Sequence, residues 1–205
     1  MKQTLRKSLY YLFIPLLQPA ERIRQLTRDA DRVRYASLIL FCTAVLYTFT
    51  VFVLYVRGFP TAVEPFLRIS ADNYYFYELF FTLPLFFLLV ILYAGTARLI
   101  AVFLGGSGSF LDLYSFYGIV IVLPLLLTMW IPETLLALTA EPPDESISLI
   151  PAWIDIPRQL IGVLWPLVVT VIGIRVIEAL SWLKSCVITL LAFVPYAIIM
   201  LVFIR

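Results

Sequence analysis

The chain has 205 residues, 62% of them apolar and only 14% charged, with a mean hydropathy of +1.00. A soluble domain carries roughly 45–50% apolar and about 25% charged residues, so this excess cannot be hidden inside one soluble core. The composition excludes a soluble enzyme and a disordered chain, and a net charge of +2 is too small for nucleic-acid binding by bulk electrostatics.

The amino terminus, MKQTLRKSLYYLFIPLLQPAER, resembles a signal peptide: Lys2, Arg6 and Lys7 precede an apolar patch from Leu9 to Leu17. Pro15 interrupts that patch, and Gln18 and Pro19 stand where the small residues of a cleavage site belong, so the segment is expected to be retained. After Pro19, which can open a helix at its first turn, Ile23, Leu26, Ala30 and Val33 recur at spacings of three and four. Arg22, Arg24, Arg28 and Arg32 point elsewhere, the pattern of an amphipathic helix lying on a bilayer surface. Residues 1–34 therefore read as a cytoplasmic, interfacial segment, and 35–205 as a transmembrane domain.

A bilayer-spanning helix needs about 20 predominantly apolar residues. Five stretches qualify: Tyr35–Val56, Leu79–Leu104, Leu113–Ile131, Gln159–Ile174 and Ser185–Ile204. None alternates as barrel strands do. The fold class is thus all-α and polytopic. With the amino terminus in the cytoplasm, eleven Lys/Arg lie inside and Arg57, Arg68, Arg158 and Arg205 lie outside. The positive-inside rule favours this orientation, with the carboxyl terminus outside. The expected outer loop, 132–158, also holds Glu133, Glu141, Asp144, Glu145 and Asp155. Trp130, Trp153 and Trp165 are expected near the outer boundary and Trp182 near the inner one, with Tyr74, Tyr75 and Tyr77 just before the second span.

The residues that usually carry chemistry are sparse. There is no histidine, hence neither the commonest general base nor the commonest metal ligand. Cys42 and Cys186 read as two buried small side chains. Every Asp, Glu, Lys and Arg falls at a span end, which weighs against proton-coupled transport. Pro84, Pro124, Pro166 and Pro195 each free a helix carbonyl. They read either as hinges along a polar seam or as breaks that neighbouring helices tolerate. No catalytic residue, metal site or cofactor is expected.

The loop GGSGSF at 105–110 lacks the Lys of a P-loop and the third glycine of a dinucleotide fingerprint. It reads as a tight inner turn. Ala97, Ala101 and Gly105, spaced by four, offer a small-residue face for close helix packing. Arg175 and Glu178 are three apart and can pair, either as a boundary ion pair or as part of a partner or lipid-headgroup site with Lys184. Asp112 is placed to cap the third span.

The stretch ARLIAVFLGGSGSFLDLYSFYGIVIVLP resembles the Yip domain family, the Ypt/Rab-interacting multi-pass membrane proteins and their prokaryotic relatives. The matching positions are a glycine-rich turn (Gly105, Gly106, Gly108), a Ser-Phe pair (Ser109, Phe110), a Tyr-Gly step (Tyr117, Gly118) and Pro124. WPLVVTVIGIRVIEALSWLKSCVITLL is similar to the family's fourth helix, with Gly173, Arg175 and Glu178 in a Gly-x-Arg-x-x-Glu step and Lys184 following. Together these cover most of 19–205. The resemblance implies five helices with a cytoplasmic amino terminus. Eukaryotic members are linked to vesicle trafficking and bind prenylated small GTPases. They usually carry a long amino-terminal region, whereas 34 residues precede the first span here, as in bacterial and archaeal members. Ile119 and Val120 follow Gly118 where eukaryotic members have a tyrosine and a serine.

The function expected is that of a non-enzymatic integral membrane protein, a membrane-organising or partner-binding scaffold in a prokaryotic cytoplasmic (inner) membrane. Its partners are the lipid bilayer, a membrane or cytoplasmic protein held through Arg22, Arg24, Arg28, Arg32, Arg175, Glu178 and Lys184, and further copies of the chain. The alternative is a small permease, channel or lipid-moving protein.

Overall fold

A computed structural model describes residues 2–61, 66–67, 69–141 and 150–203. Arg68, Asp144, Glu145, Ile204 and Arg205, used above in placing loops and ends, lie outside the described residues. Every regular element among the described residues is helical: α1 (Lys2–Leu12), α2 (Pro19–Arg28), α3 (Arg32–Val56), α4 (Ala71–Phe103), α5 (Phe110–Val120), α6 (Val122–Leu125), a π-helical turn (Leu126–Trp130), α7 (Ile131–Thr139), α8 (Ala152–Glu178) and α9 (Trp182–Phe203). Among the described residues, five stretches are long and apolar enough to cross a membrane: α3, α4, the run from α5 through α7, α8 and α9.

The apolar runs locate all five, but three helices outrun them. The α4 helix begins at Ala71, so Tyr74, Tyr75 and Tyr77 lie inside it rather than before it. The expected outer loop 132–158 is helical at both ends, through α7 and the first turns of α8. In consequence Glu78, Glu133 and Arg158 fall within helices, each within two turns of one end of its span. The lengths explain why this is tolerable. The 33 residues of α4 extend about 50 Å at 1.5 Å per residue, against a hydrocarbon layer of about 30 Å. Roughly 10 Å at each end can stand among headgroups, and Glu78 and Arg98 fall near those two limits.

Trp165 is likewise not at a boundary, because α8 starts at Ala152 and places it midway along the helix. The two cysteines are free; Cys42 is exposed and Cys186 half-buried, not buried as their apolar neighbours suggested. Pro84, Pro166 and Pro195 sit inside continuous helices. Only after Pro124 does the helix change character, passing into the π-helical turn.

The middle of the structure is α5, whose residues Leu113 to Val120 are all buried. A helix apolar on every side belongs at a core, and α5 packs against α3, α4 and α8. Tyr93 of α4 stacks on Tyr117 with ring centroids 3.9 Å apart. The remaining front of α5 is covered by α1 and α2, which form a hairpin packed on α3, α5 and α8. The outward surfaces are greasy. Phe80 is 70% exposed, Leu99 66% and Phe103 89%, which suits contact with lipid and not with water.

Candidate functional site

Two groups of residues stand out at the end of the bundle where α4 turns into α5. The first is the glycine turn. The α4 helix stops because Gly105 takes φ +85°, a left-handed conformation open to glycine without penalty. Gly106 N–H then donates to Ala101 O at 2.8 Å, and Gly105 N–H to Val102 O at 3.1 Å, the paired bonds of a Schellman stop. Ala97 and Ala101 are fully buried, as their small-residue spacing predicts.

Glu178 closes onto that turn from the end of α8. Its carboxylate is fully buried, and Oε2 accepts from Arg98 Nη1 at 2.6 Å and from the Gly108 amide at 2.8 Å. The Ser107 amide donates to Glu178 O at 3.2 Å. A Cβ at Gly106 would stand 2.5 Å from Glu178 Oε2, and one at Gly108 would stand 2.8 Å from Ile177 Cγ2. The glycines are therefore the space into which Glu178 fits. This corrects the expected Arg175–Glu178 pair: the helix turns Glu178 inward and Arg175 outward. Arg175 lies over the Trp182 ring, 4.4 Å from its centroid. Lys184 donates to Leu104 O at 2.8 Å, so its cation meets the carbonyl end of α4, where the helix dipole favours it.

The start of α5 is also corrected. Its N-cap is Ser109, whose Oγ accepts from the Asp112 amide at 3.1 Å and donates to Asp112 Oδ2 at 2.6 Å. Asp112 returns the cap rather than making it, and it pairs with Arg32 Nε at 2.7 Å. The Ser-x-x-Asp spacing at 109–112 is a capping-box signature legible in the sequence. Phe110 stays half-exposed. Gly118 brings α5 close to α3 and α4: a Cβ there would sit 3.5 Å from Val90 Cγ1 and 3.6 Å from Ala36 Cβ. Gly173 admits the Phe116 ring, which would overlap any Cβ placed there.

The second group is the hairpin. Ile23 and Leu26, half of the predicted apolar stripe, are 0% exposed and belong to the protein's own core. Ala30 lies in the turn before α3 and is exposed. Lys7 Nζ and Tyr11 Oη both donate to Asp29 Oδ2, at 2.7 and 3.3 Å, which ties the two arms together. Burial works against ionising Asp29, but the bonds from Lys7, the Asp31 amide and Tyr11 outweigh it and hold its carboxyl below the ordinary range. The hydrogen bond to Asp29 holds the Lys7 ammonium above its ordinary range. Burial, with Asp29 beside it, pushes Tyr11 up to about 12. At the hairpin tip, Trp165 Nε1 donates to Pro15 O at 3.2 Å.

The arginines of this segment divide accordingly. Arg22 lies over the Tyr10 ring, 4.5 Å from its centroid, and donates to Tyr10 O. Arg32 is used by Asp112. Arg24 and Arg28 are exposed, and neither is in an ion pair among the described residues. No group of histidine, cysteine and acidic residues able to hold a metal occurs among the described residues.

The family model described as the Yip1 domain matches residues 15–204. No curated protein and no solved structure matches the chain.

Proposed function

The chain belongs to the Yip1 domain family of membrane proteins, and on that premise we propose that it is a non-enzymatic scaffold presenting a cytoplasmic basic face to an anionic lipid surface or an acidic partner. One observation carries this reading. Burying Ile23 and Leu26 in the core fixes α2 in orientation, which leaves Arg24 and Arg28 outward with their charge uncommitted. A basic residue near an anionic leaflet contributes about 1 kcal/mol. The excess of Lys/Arg at the amino terminus supports placing that end in the cytoplasm and the carboxyl terminus on the other side, and the resemblance to the family's prokaryotic members supports a prokaryotic cytoplasmic membrane. Self-association through lipid-facing helices belongs to the same reading.

The experiment uses the full chain purified from phosphatidylglycerol-containing membranes, with retained lipid counted by mass spectrometry and neighbours mapped by crosslinking in native membranes. Replacing Arg24 and Arg28 together by Glu should reduce retained phosphatidylglycerol or remove a crosslinked neighbour. Unchanged lipid and unchanged crosslinks would refute the proposal. A second reading, a permease or lipid-moving protein, is favoured by the break after Pro124, where the helix widens into a π-helical turn. Flux and lipid-scrambling assays in reconstituted vesicles separate the two.

A further inference from the structure

A cavity of about 270 Å³ lies between the central span, α8 and α9. Tyr117 and Met129 mark its extent along the central span (the run from α5 through α7), Gly162 and Thr170 along α8, and Phe193 and Leu201 along α9. We infer that it holds one acyl chain of a bilayer lipid.

Four observations point to hydrocarbon and not to water, an ion or a polar solute. The lining is apolar apart from the hydroxyls of Tyr117, Tyr196 and Thr170, and the Thr170 hydroxyl is already spent on Pro166 O at 2.6 Å. The mouth is lateral: Leu201, which lines it, is 73% exposed on a helix surface that faces lipid. The shape is long. Tyr117 to Met129 covers about 18 Å at 1.5 Å per residue, close to one leaflet of a hydrocarbon layer about 30 Å thick. The far end has polar company suited to a headgroup region, for Arg158 Nη1 stands 3.9 Å from Met129 Sδ and its guanidinium is paired with Asp155.

The volume agrees. A dry apolar cavity of about 150 Å³ holds a benzene ring, and this one approaches twice that size. Empty, it would forfeit the dispersion contacts of its lining; a chain sliding in from the adjoining leaflet restores them without desolvating any charge. The inference rests on the protein being embedded in a bilayer and not on the scaffold role.

The test places the full chain in phosphatidylcholine vesicles containing a phosphatidylcholine with a diazirine midway along one acyl chain. After illumination, adducts are mapped by mass spectrometry. Labelling of Leu167, Met200 and Leu201 should exceed several-fold that of Phe80 and Leu99, which are exposed on α4 and do not line this cavity. Ala197→Phe, which fills the cavity, should abolish the excess and leave the α4 labelling unchanged. Equal labelling of the two surfaces in the native chain overturns the inference, whether or not A197F folds. So does an Ala197→Cys variant, in a background with Cys42→Ser and Cys186→Ser, that oxidises to a disulfide-linked dimer, since a second copy would then occupy the space.

Discussion

Arg98 and Glu178 are eighty residues apart in sequence and meet at 2.6 Å beneath the glycine turn. The pair joins the end of α4 to the end of α8, and the Gly108 amide joins the start of α5 to both. Three spans are thereby fastened at one point.

That fastening predicts an asymmetric mutational response. Glu178→Ala leaves the Arg98 cation and the Gly108 amide without their acceptor. Breaking a buried pair costs about 3–5 kcal/mol, and the lower end applies because Arg98 is partly exposed. Glu178→Gln keeps an oxygen for Gly108 and should cost less. The double change of Arg98 and Glu178 to Leu should be milder than E178A alone, since no charge is stranded. Thermal unfolding in detergent, followed by tryptophan fluorescence, provides the comparison; a double variant as unstable as E178A contradicts it.

Gly173 and Phe116 predict a suppressor pair. Gly173→Ala forces a methyl into the Phe116 ring, and overpacking of this kind costs about 1–3 kcal/mol. Phe116→Leu alone should also destabilise, by opening a void in the core. The two together should be more stable than the sum of their separate losses, measured by the same unfolding assay. Additive losses would show that the residues do not share the space.

Ala179 ends α8 at φ +54°, a left-handed conformation that costs a residue with a Cβ roughly 1–2 kcal/mol. Ala179→Gly should therefore raise the unfolding temperature, and Ala179→Val should lower it. The reverse order would mean that this end of α8 is relaxed.

The Lys7–Asp29 clasp predicts a pH window for the α1–α2 hairpin. Asp29 has a lowered carboxyl pKa in the folded protein. Its contribution is fully present above the ordinary carboxylate value of about 3.9 and is lost as pH falls through the lower folded value. Lys7 is raised, so its contribution is present below its ordinary value of about 10.4 and is lost as pH rises through the higher folded value. Hydrogen exchange of α1 amides, corrected for its intrinsic pH dependence, should be slow and level between these limits and accelerate beyond either. Asp29→Asn should accelerate it at neutral pH; an unchanged rate would show that the clasp does not hold α1.

How much of this was written in the chain follows from the range of each interaction. The α3 span was legible almost to the residue, because Arg34 and Arg57 bracket an uninterrupted apolar run. The start of α4 was not, since Asp72, Asn73 and Glu78 lower the local hydropathy although helix and burial continue through them. The glycine turn was legible as a turn, but not as a socket for Glu178. Spacing of three suggested Arg175 as the partner of Glu178, and only the packing of α4 against the rest of the bundle brings Arg98 there instead. The hairpin was half legible: periodicity found the buried stripe of Ile23 and Leu26 and assigned it to lipid, because nothing local distinguishes a bilayer from the flank of α8. The site's basic residues sort into structural and uncommitted ones only once their partners, Tyr10, Asp112, Trp182 and Leu104 O, are in place.

We place the hairpin of the five-span bundle on the cytoplasmic side and the end of α7 on the other. In a chain with Cys42→Ser and Cys186→Ser, single replacements Glu21→Cys on the hairpin and Glu141→Cys after α7 test it in intact cells with a membrane-impermeant maleimide. Labelling is expected at position 141 alone, with position 21 reacting only after the membrane is opened. Labelling of both positions in sealed cells, or of position 21 alone, would contradict it.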